Sequence, residues 1–152
     1  MKIHIIYASA SGNVELVAEF VGKILKDEGN DVVLHRAEIT KKEVLLDNSD
    51  FIFATSTWEH GEVNPYFNNL LKEMRQNDLK TKRAGLIGLG DKRYEEILFC
   101  NGIEVVKEAF LAGGGKQIYE TLKINGDPCD VLETTVKDWT ENFYSLLKAE
   151  SK

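Results

Sequence analysis

Cysteine and proline are scarce in this chain of 152 residues, with two of each. Cys100 and Cys129 stand alone, without the paired spacing of a metal site or a redox disulfide. Free thiols in a reducing compartment are therefore expected. No apolar run approaches the ~20 residues of a membrane span. A strand-like segment starts at Lys2, which leaves no room for a signal peptide, so a cytoplasmic location is the expectation. Linkers, internal repeats and low-complexity stretches are also lacking, and one domain over residues 1–152 follows. Basic charge is in deficit: the net charge is −6. That argues against nucleic acid or an anionic membrane as partner and fits docking to basic protein surfaces.

What is present is a rhythm. Lys2 to Tyr7 is nearly all apolar and rich in β-branched residues, as in a strand buried on both faces of a parallel sheet. Leu16, Val17, Phe20, Val21, Ile24 and Leu25 then recur at helical spacing, and Gly29 closes the helix. Further strands are predicted at Asp31 to Arg36, Phe51 to Thr55, Arg83 to Gly88 and Gln117 to Ile124. Helices fall between them. One runs from Thr40 to Leu46, with Thr40 as N-cap and Glu43 completing a capping box. Others open at Pro65 and near Gly102, and the last starts at Asp127-Pro128. Five alternations of strand and helix predict a doubly wound α/β fold, a parallel sheet with helices on both faces.

In such a sheet, ligands bind beyond the carboxyl ends of the strands. Three loops lie there. Ser9-Ala10-Ser11-Gly12-Asn13 leads into a helix start, where free N–H groups and the helix dipole favour an anion. It contains no Lys or Arg, so it is neither a Walker A loop nor a dinucleotide turn. A neutral cradle of hydroxyls and amides suits one terminal phosphate. The second loop, Thr55 to Glu62, puts Trp58 in polar company, where a planar ligand would cover it. The third, Gly88-Leu89-Gly90-Asp91-Lys92-Arg93-Tyr94, lets the backbone approach a flat ring. Asp91 can accept from a ring N–H there, and Tyr94 can stack opposite Trp58. Together the loops ask for one phosphate, two aromatic plates and close contact with a ring.

At this point the sequence resembles the flavodoxins. Ser9-Ala10-Ser11-Gly12-Asn13-Val14 is similar to their phosphate motif Ser/Thr-x-Thr-Gly-x-Thr, with Val14 where the motif has Thr. Ser56-Thr57-Trp58 and Gly61-Glu62 resemble their second loop, with Glu59 where many relatives have Gly and His60 after it. Gly88-Leu89-Gly90-Asp91 with Tyr94, then Phe99-Cys100, resembles the third. The Ile124-Asn125-Gly126-Asp127-Pro128 stretch is similar to the family's approach to the last helix. The resemblance implies a flavodoxin-like three-layer sandwich, with a five-stranded sheet in the order 2-1-3-4-5 of the short-chain type. It implies FMN held non-covalently by Ser9 to Val14, Ser56 to Gly61, Leu89, Gly90, Asp91, Tyr94, Phe99 and Cys100, with no metal. It also implies a monomeric low-potential one-electron carrier between redox proteins, a donor reductase and an acceptor oxidoreductase, rather than an enzyme. Lys92 and Arg93 add positive charge beside the expected ring. One unit charge ~10 Å from a ring, at an effective dielectric of ~20, is worth ~1.7 kcal/mol, or ~70 mV per electron.

Three other readings share this architecture, one of them a degenerate flavodoxin-like domain that binds a partner without cofactor. An FMN-dependent quinone or NAD(P)H reductase would need further loops for a second substrate, and no insertion offers them. A response-regulator receiver needs acids after the first strand, where this chain has Tyr7-Ala8-Ser9.

Overall fold

Three strands carry the sheet because their residues can be buried on both faces. β1 (Lys2–Ala8), β3 (Asp50–Ser56) and β4 (Arg83–Gly90) are buried almost throughout, whereas β2 (Asp31–Arg36) is only partly covered at one edge. The computed structural model describes residues 1–58, 61–93 and 99–151. All strand pairs within the sheet are parallel. Their order is β2-β1-β3-β4, followed by a fifth position made of two segments. This is the 2-1-3-4-5 order of the flavodoxin-like sandwich, as expected.

The fifth strand is split. β5 (Lys116–Gln117) pairs with Arg83–Ala84, and β6 (Leu122–Asn125) pairs with Ile87–Gly90. Between them Tyr119 takes a left-handed backbone, with φ 67°. The Trp139 indole N–H donates to the carbonyl of Glu120 at 2.8 Å. The chain thus leaves the sheet and finds a side-chain partner instead. A strand pattern read along the sequence runs straight through such an excursion, because its signal is apolar alternation and not backbone angle.

Helices cover both faces. α1 (Asn13–Asp27) and α5 (Lys137–Glu150) pack on one, where Ile3, Ile5, Val17, Val21, Leu25, Phe143 and Leu147 form the core. α3 (Asn68–Gln76) and α4 (Asn101–Ala112) pack on the other, around Phe51, Phe53, Phe67, Leu70, Met74 and Phe110. Full burial of each such side chain is worth about 1.5–3 kcal/mol before entropy is charged. Gly85 is needed for close approach: a Cβ there would lie 2.8 Å from both Trp139 and Phe143, whose rings stack 5.2 Å apart. No helix among the described residues is long and apolar enough to cross a membrane.

Two helix starts differ from expectation. α2 spans Lys42–Leu46, its N-cap is Lys41, and no side chain caps it. The Thr40 hydroxyl instead donates to the Arg36 carbonyl at 2.6 Å, closing the 3-10 turn Ala37–Ile39. The hydroxyl is turned back toward β2, and Lys41, one residue later, takes the N-cap position. Pro128 opens a 3-10 turn, Pro128–Val131, in which the Cys129 N–H donates to Asp127 Oδ1 at 2.9 Å. A π-helical turn, Leu132–Val136, intervenes before α5.

Where β1 meets β2, His4 and His35 share a hydrogen bond of 2.8 Å between Nδ1 and Nε2. Nε2 of His4 is buried without a hydrogen-bond partner. Burial lowers the pKa of both rings below the usual histidine value, partly opposed at His4 by the Asn48 side chain and reinforced at His35 by His4. The folded state therefore binds fewer protons than the unfolded chain. Stability from this pair is full above the unfolded value of 6.5 and is lost as pH falls through the folded values. Urea unfolding is expected to show falling stability between about pH 7.5 and pH 5.5, with a flatter profile for His4→Gln/His35→Gln. Parallel profiles for the two proteins would contradict this account.

Candidate functional site

The carboxyl ends of β1, β3, β4 and β6 open onto one cleft of about 380 Å³, within the range of small-molecule sites. Its first wall is the start of α1. Gly12 has φ +95°, a left-handed conformation that favours glycine, and its N–H donates to Ser9 Oγ at 3.1 Å. This turn ends the loop and starts the helix in one step. No side chain caps that first turn. The N–H groups of Asn13, Val14 and Glu15 have no carbonyl one turn earlier to bind. Ser11, Asn13 and Val14 line the cleft, and Ala10, Ser11, Gly12 and Asn13 are exposed at its mouth. Ser9 is buried, holding the turn from within. Val14 is only 2 % exposed and packs in the core beneath α1 while also touching the cleft. An apolar residue serves that double position.

The second wall follows β3. Ser56 and Thr57 line the cleft. The Thr57 N–H donates to the Leu89 carbonyl at 3.1 Å, and Thr57 bridges to Val63 across the loop. The Trp58 N–H donates to Glu62 at 2.8 Å, and the Gly61 N–H returns to Trp58 at 3.2 Å. Asn101 Nδ2 grips the Gly61 carbonyl at 2.7 Å. These bonds hold the loop backbone while Trp58 stays 41 % exposed. Trp58 itself does not line the cleft but follows Thr57, which does; a planar ligand reaching past Thr57 would cover its exposed ring. Glu59 and His60 lie outside the described residues.

The third wall follows β4. Leu89, Gly90, Asp91 and Arg93 line it. Arg93 clamps Asp91 through Nε at 3.0 and 3.2 Å and Nη2 at 2.7 Å. These hydrogen bonds hold the Asp91 carboxyl below the usual carboxylate range. Asp91 is therefore ionised, with its charge paired inside the cleft wall. Lys92 Nζ sits 5.0 Å from the centre of the Phe99 ring. Cys100 is fully buried, with φ 55°, beneath the loop; its thiol faces the Ile124 carbonyl at 3.9 Å. Phe99 and Cys100 thus pack against Gly90 from below and do not line the cleft. Tyr94 lies outside the described residues.

A fourth wall comes from the stretch that resembles the family's approach to the last helix, which the sequence alone did not place at the site. Gly126 and Asp127 line the cleft after β6. The Gly126 N–H donates to the Gly90 carbonyl at 2.9 Å, and Asn125 Oδ1 accepts from the Lys92 N–H at 2.9 Å. The signal available was the Asn-Gly-Asp-Pro turn at the end of the fifth strand, which must open at the same sheet edge as the other loops. Among the described residues, no group of three His, Cys, Asp or Glu can hold a metal ion.

Does this cleft fit FMN? An uncapped helix start without Lys or Arg offers a neutral amide cradle for a phosphate monoester. Half-exposed Trp58 offers a plate for a flat ring. Gly90 lines the cleft, and its missing Cβ leaves room behind it for Cys100, whose nitrogen a Cβ would meet at 3.1 Å. The residues present fit the group.

Known proteins agree with this geometry. The flavodoxin family model matches residues 5–139. The flavodoxin of Nitratidesulfovibrio vulgaris is 31 % identical over 149 residues, covering 96 % of this chain and 99 % of that one. Protein MioC of Escherichia coli K12 is 30 % identical over 151 residues, covering 96 % and 98 %. The crystal structure of oxidised Flavodoxin 2 from Bacillus cereus superposes with a TM-score of 0.87 at 31 % identity, covering 95 % of this chain and 99 % of that one. With its sheet order, its uncapped phosphate-type helix start and a match along most of its length, this chain belongs to the flavodoxin family, in its short-chain form.

Proposed function

We propose that this protein holds one FMN non-covalently in the cleft and carries single electrons between redox proteins. The observation that carries the reading is the juxtaposition at one sheet edge of an uncapped, cation-free helix start and a half-exposed tryptophan. Ser9, Ala10, Ser11, Gly12, Asn13 and Val14 would cradle the phosphate by backbone N–H and hydroxyl groups. Ser56, Thr57, Trp58, Glu59, His60 and Gly61 would cover one ring face. Leu89, Gly90, Asp91 and Tyr94 would frame the other face and the ring edge, with Phe99 and Cys100 supporting Gly90 from behind. Bound FMN supplies the one-electron redox chemistry, and the protein supplies binding, orientation and local charge. The chain needs no acid, base or nucleophile for this task, so substrate turnover of its own is not part of the reading. A net charge of −6 favours basic partner proteins meeting the monomer at the exposed ring edge.

The test is direct. Purified protein should be yellow, or take up one equivalent of FMN with loss of flavin fluorescence. A colourless protein that binds no added FMN overturns the reading.

Local charge should also set the potential. With Arg93 clamped on Asp91, that pair is close to neutral, and Lys92 adds a cation beside it. The Lys92→Ser/Arg93→Ser variant leaves the Asp91 carboxylate uncompensated in the cleft wall. The potential of the more negative one-electron step is expected to fall by on the order of tens of millivolts, solvent screening keeping it below the ~140 mV of two unscreened charges. Redox titration with dye mediators measures this, and an unchanged or raised potential contradicts it.

A further inference from the structure

The helix start that offers its N–H groups to a phosphate also carries an acid. Glu15 is in the first turn of α1. There a carboxylate favours the helix but competes with any other anion at the same end. Both of its oxygens are taken. Oε1 accepts from the Tyr7 hydroxyl at 3.1 Å, and Oε2 accepts from Arg36 Nη2 at 3.3 Å. Tyr7 and Arg36 are register partners on β1 and β2, so the sheet itself sets the spacing of this clamp. The Arg36 guanidinium lies 5.8 Å from the centre of the Tyr7 ring and 3.9 Å from Glu38. Tyr7 is buried, and burial, with the Glu15 hydrogen bond second, pushes its phenol above the usual range. The hydroxyl therefore stays protonated and remains a donor.

We propose that Arg36, with Tyr7, is a positioning residue for the phosphate site: it holds Glu15 against the β1–β2 side and neutralises it, so that the α1 start accepts a phosphate dianion. This rests on the FMN reading above and deepens it. The loop supplies no cation of its own, so the compensating charge reaches the site from β2. None of Tyr7, Glu15 and Arg36 lines the cleft, so the clamp acts through the start of α1 and not on a bound ring. It should therefore discriminate FMN from riboflavin, which lacks the phosphate.

The experiment measures dissociation constants of FMN and riboflavin for the apoprotein at low and high salt. Arg36→Gln should weaken FMN about fivefold at low ionic strength, the equivalent of about 1 kcal/mol at a helix terminus. It should leave riboflavin unchanged, and the FMN loss should shrink as salt is raised. Arg36→Lys should keep most of the affinity. Glu15→Gln/Arg36→Gln should return FMN binding to the parent value, which a merely structural role for Arg36 would not predict. Equal losses for FMN and riboflavin, no loss at all, or a double variant as weak as Arg36→Gln would each overturn the clamp while leaving the FMN reading intact. A parent protein that binds neither ligand overturns both.

Discussion

Gly102→Ala is expected to weaken FMN binding about tenfold and to destabilise the fold by about 1–3 kcal/mol. Gly102 sits in the first turn of α4, far in sequence from the second-loop residues it touches. Its N–H donates to Thr57 Oγ1 at 2.9 Å. A Cβ at this position would lie 2.6 Å from the Ser56 carbonyl oxygen, 3.1 Å from Thr57 Oγ1 and 3.2 Å from Thr57 Cα. Those neighbours are mostly backbone, and they cannot swing away as the tip of a long side chain can. The loop must shift instead. Ser56 and Thr57 line the cleft, so the shift is felt where the ligand binds. Titration of the apoprotein with FMN reads the affinity, and urea unfolding reads the stability. An unchanged affinity with lowered stability would mean that the second loop keeps its place without α4.

Arg83→Met is expected to lower the unfolding free energy by about 2–3 kcal/mol and the melting temperature by roughly 6–10 °C, without changing FMN affinity. Arg83 and Asp50 are register partners at the amino ends of β4 and β3. The guanidinium reaches Asp50 Oδ1 through Nε at 3.0 Å and Nη2 at 2.7 Å. It also donates to the Leu147 carbonyl at 3.3 Å and to Ser151 Oγ at 3.0 Å, tying the end of α5 to the sheet. Removing it leaves the carboxylate of Asp50, a buried residue, without its partner. The loss sits at the low end for a buried pair, because 18 % of the Arg83 side chain still meets water. Asp50→Asn in the same background removes the stranded charge and should recover about half of the loss. If the single variant is as stable as the parent, the pair contributes no net stability. The cleft lies at the opposite end of the sheet, so the two predictions separate: one moves affinity and stability together, the other stability alone.

These two positions also mark where sequence reading stops. The loop before α1 was legible because its chemistry is contiguous. Ser9 to Val14 run without a break, and the turn, the helix start and the missing cations can all be counted along the chain. Trp58 was legible as an apolar ring in polar company. Gly102 and Arg83 carry no such local mark. Each matters because of an atom some 30 to 45 residues away in the chain. The same holds for Gly126 and Asp127 as cleft walls, which depend on Gly90 pairing with Asn125 across β4 and β6.

By itself the sequence determined the alternation of strands and helices, the parallel sheet and the end of it at which the loops gather into a cleft. Those follow from hydrophobic period and turn chemistry, which are local. Tertiary structure alone decided that the fifth strand breaks at Tyr119, that Thr40 serves a carbonyl behind it, and that Cys100 supports the third loop from beneath. It also decided that the acid at the start of α1 is held by a tyrosine and an arginine from two neighbouring strands. The reason is the same in each case: which donor meets which acceptor is set by the register and packing of distant segments, and no property of either segment alone contains it.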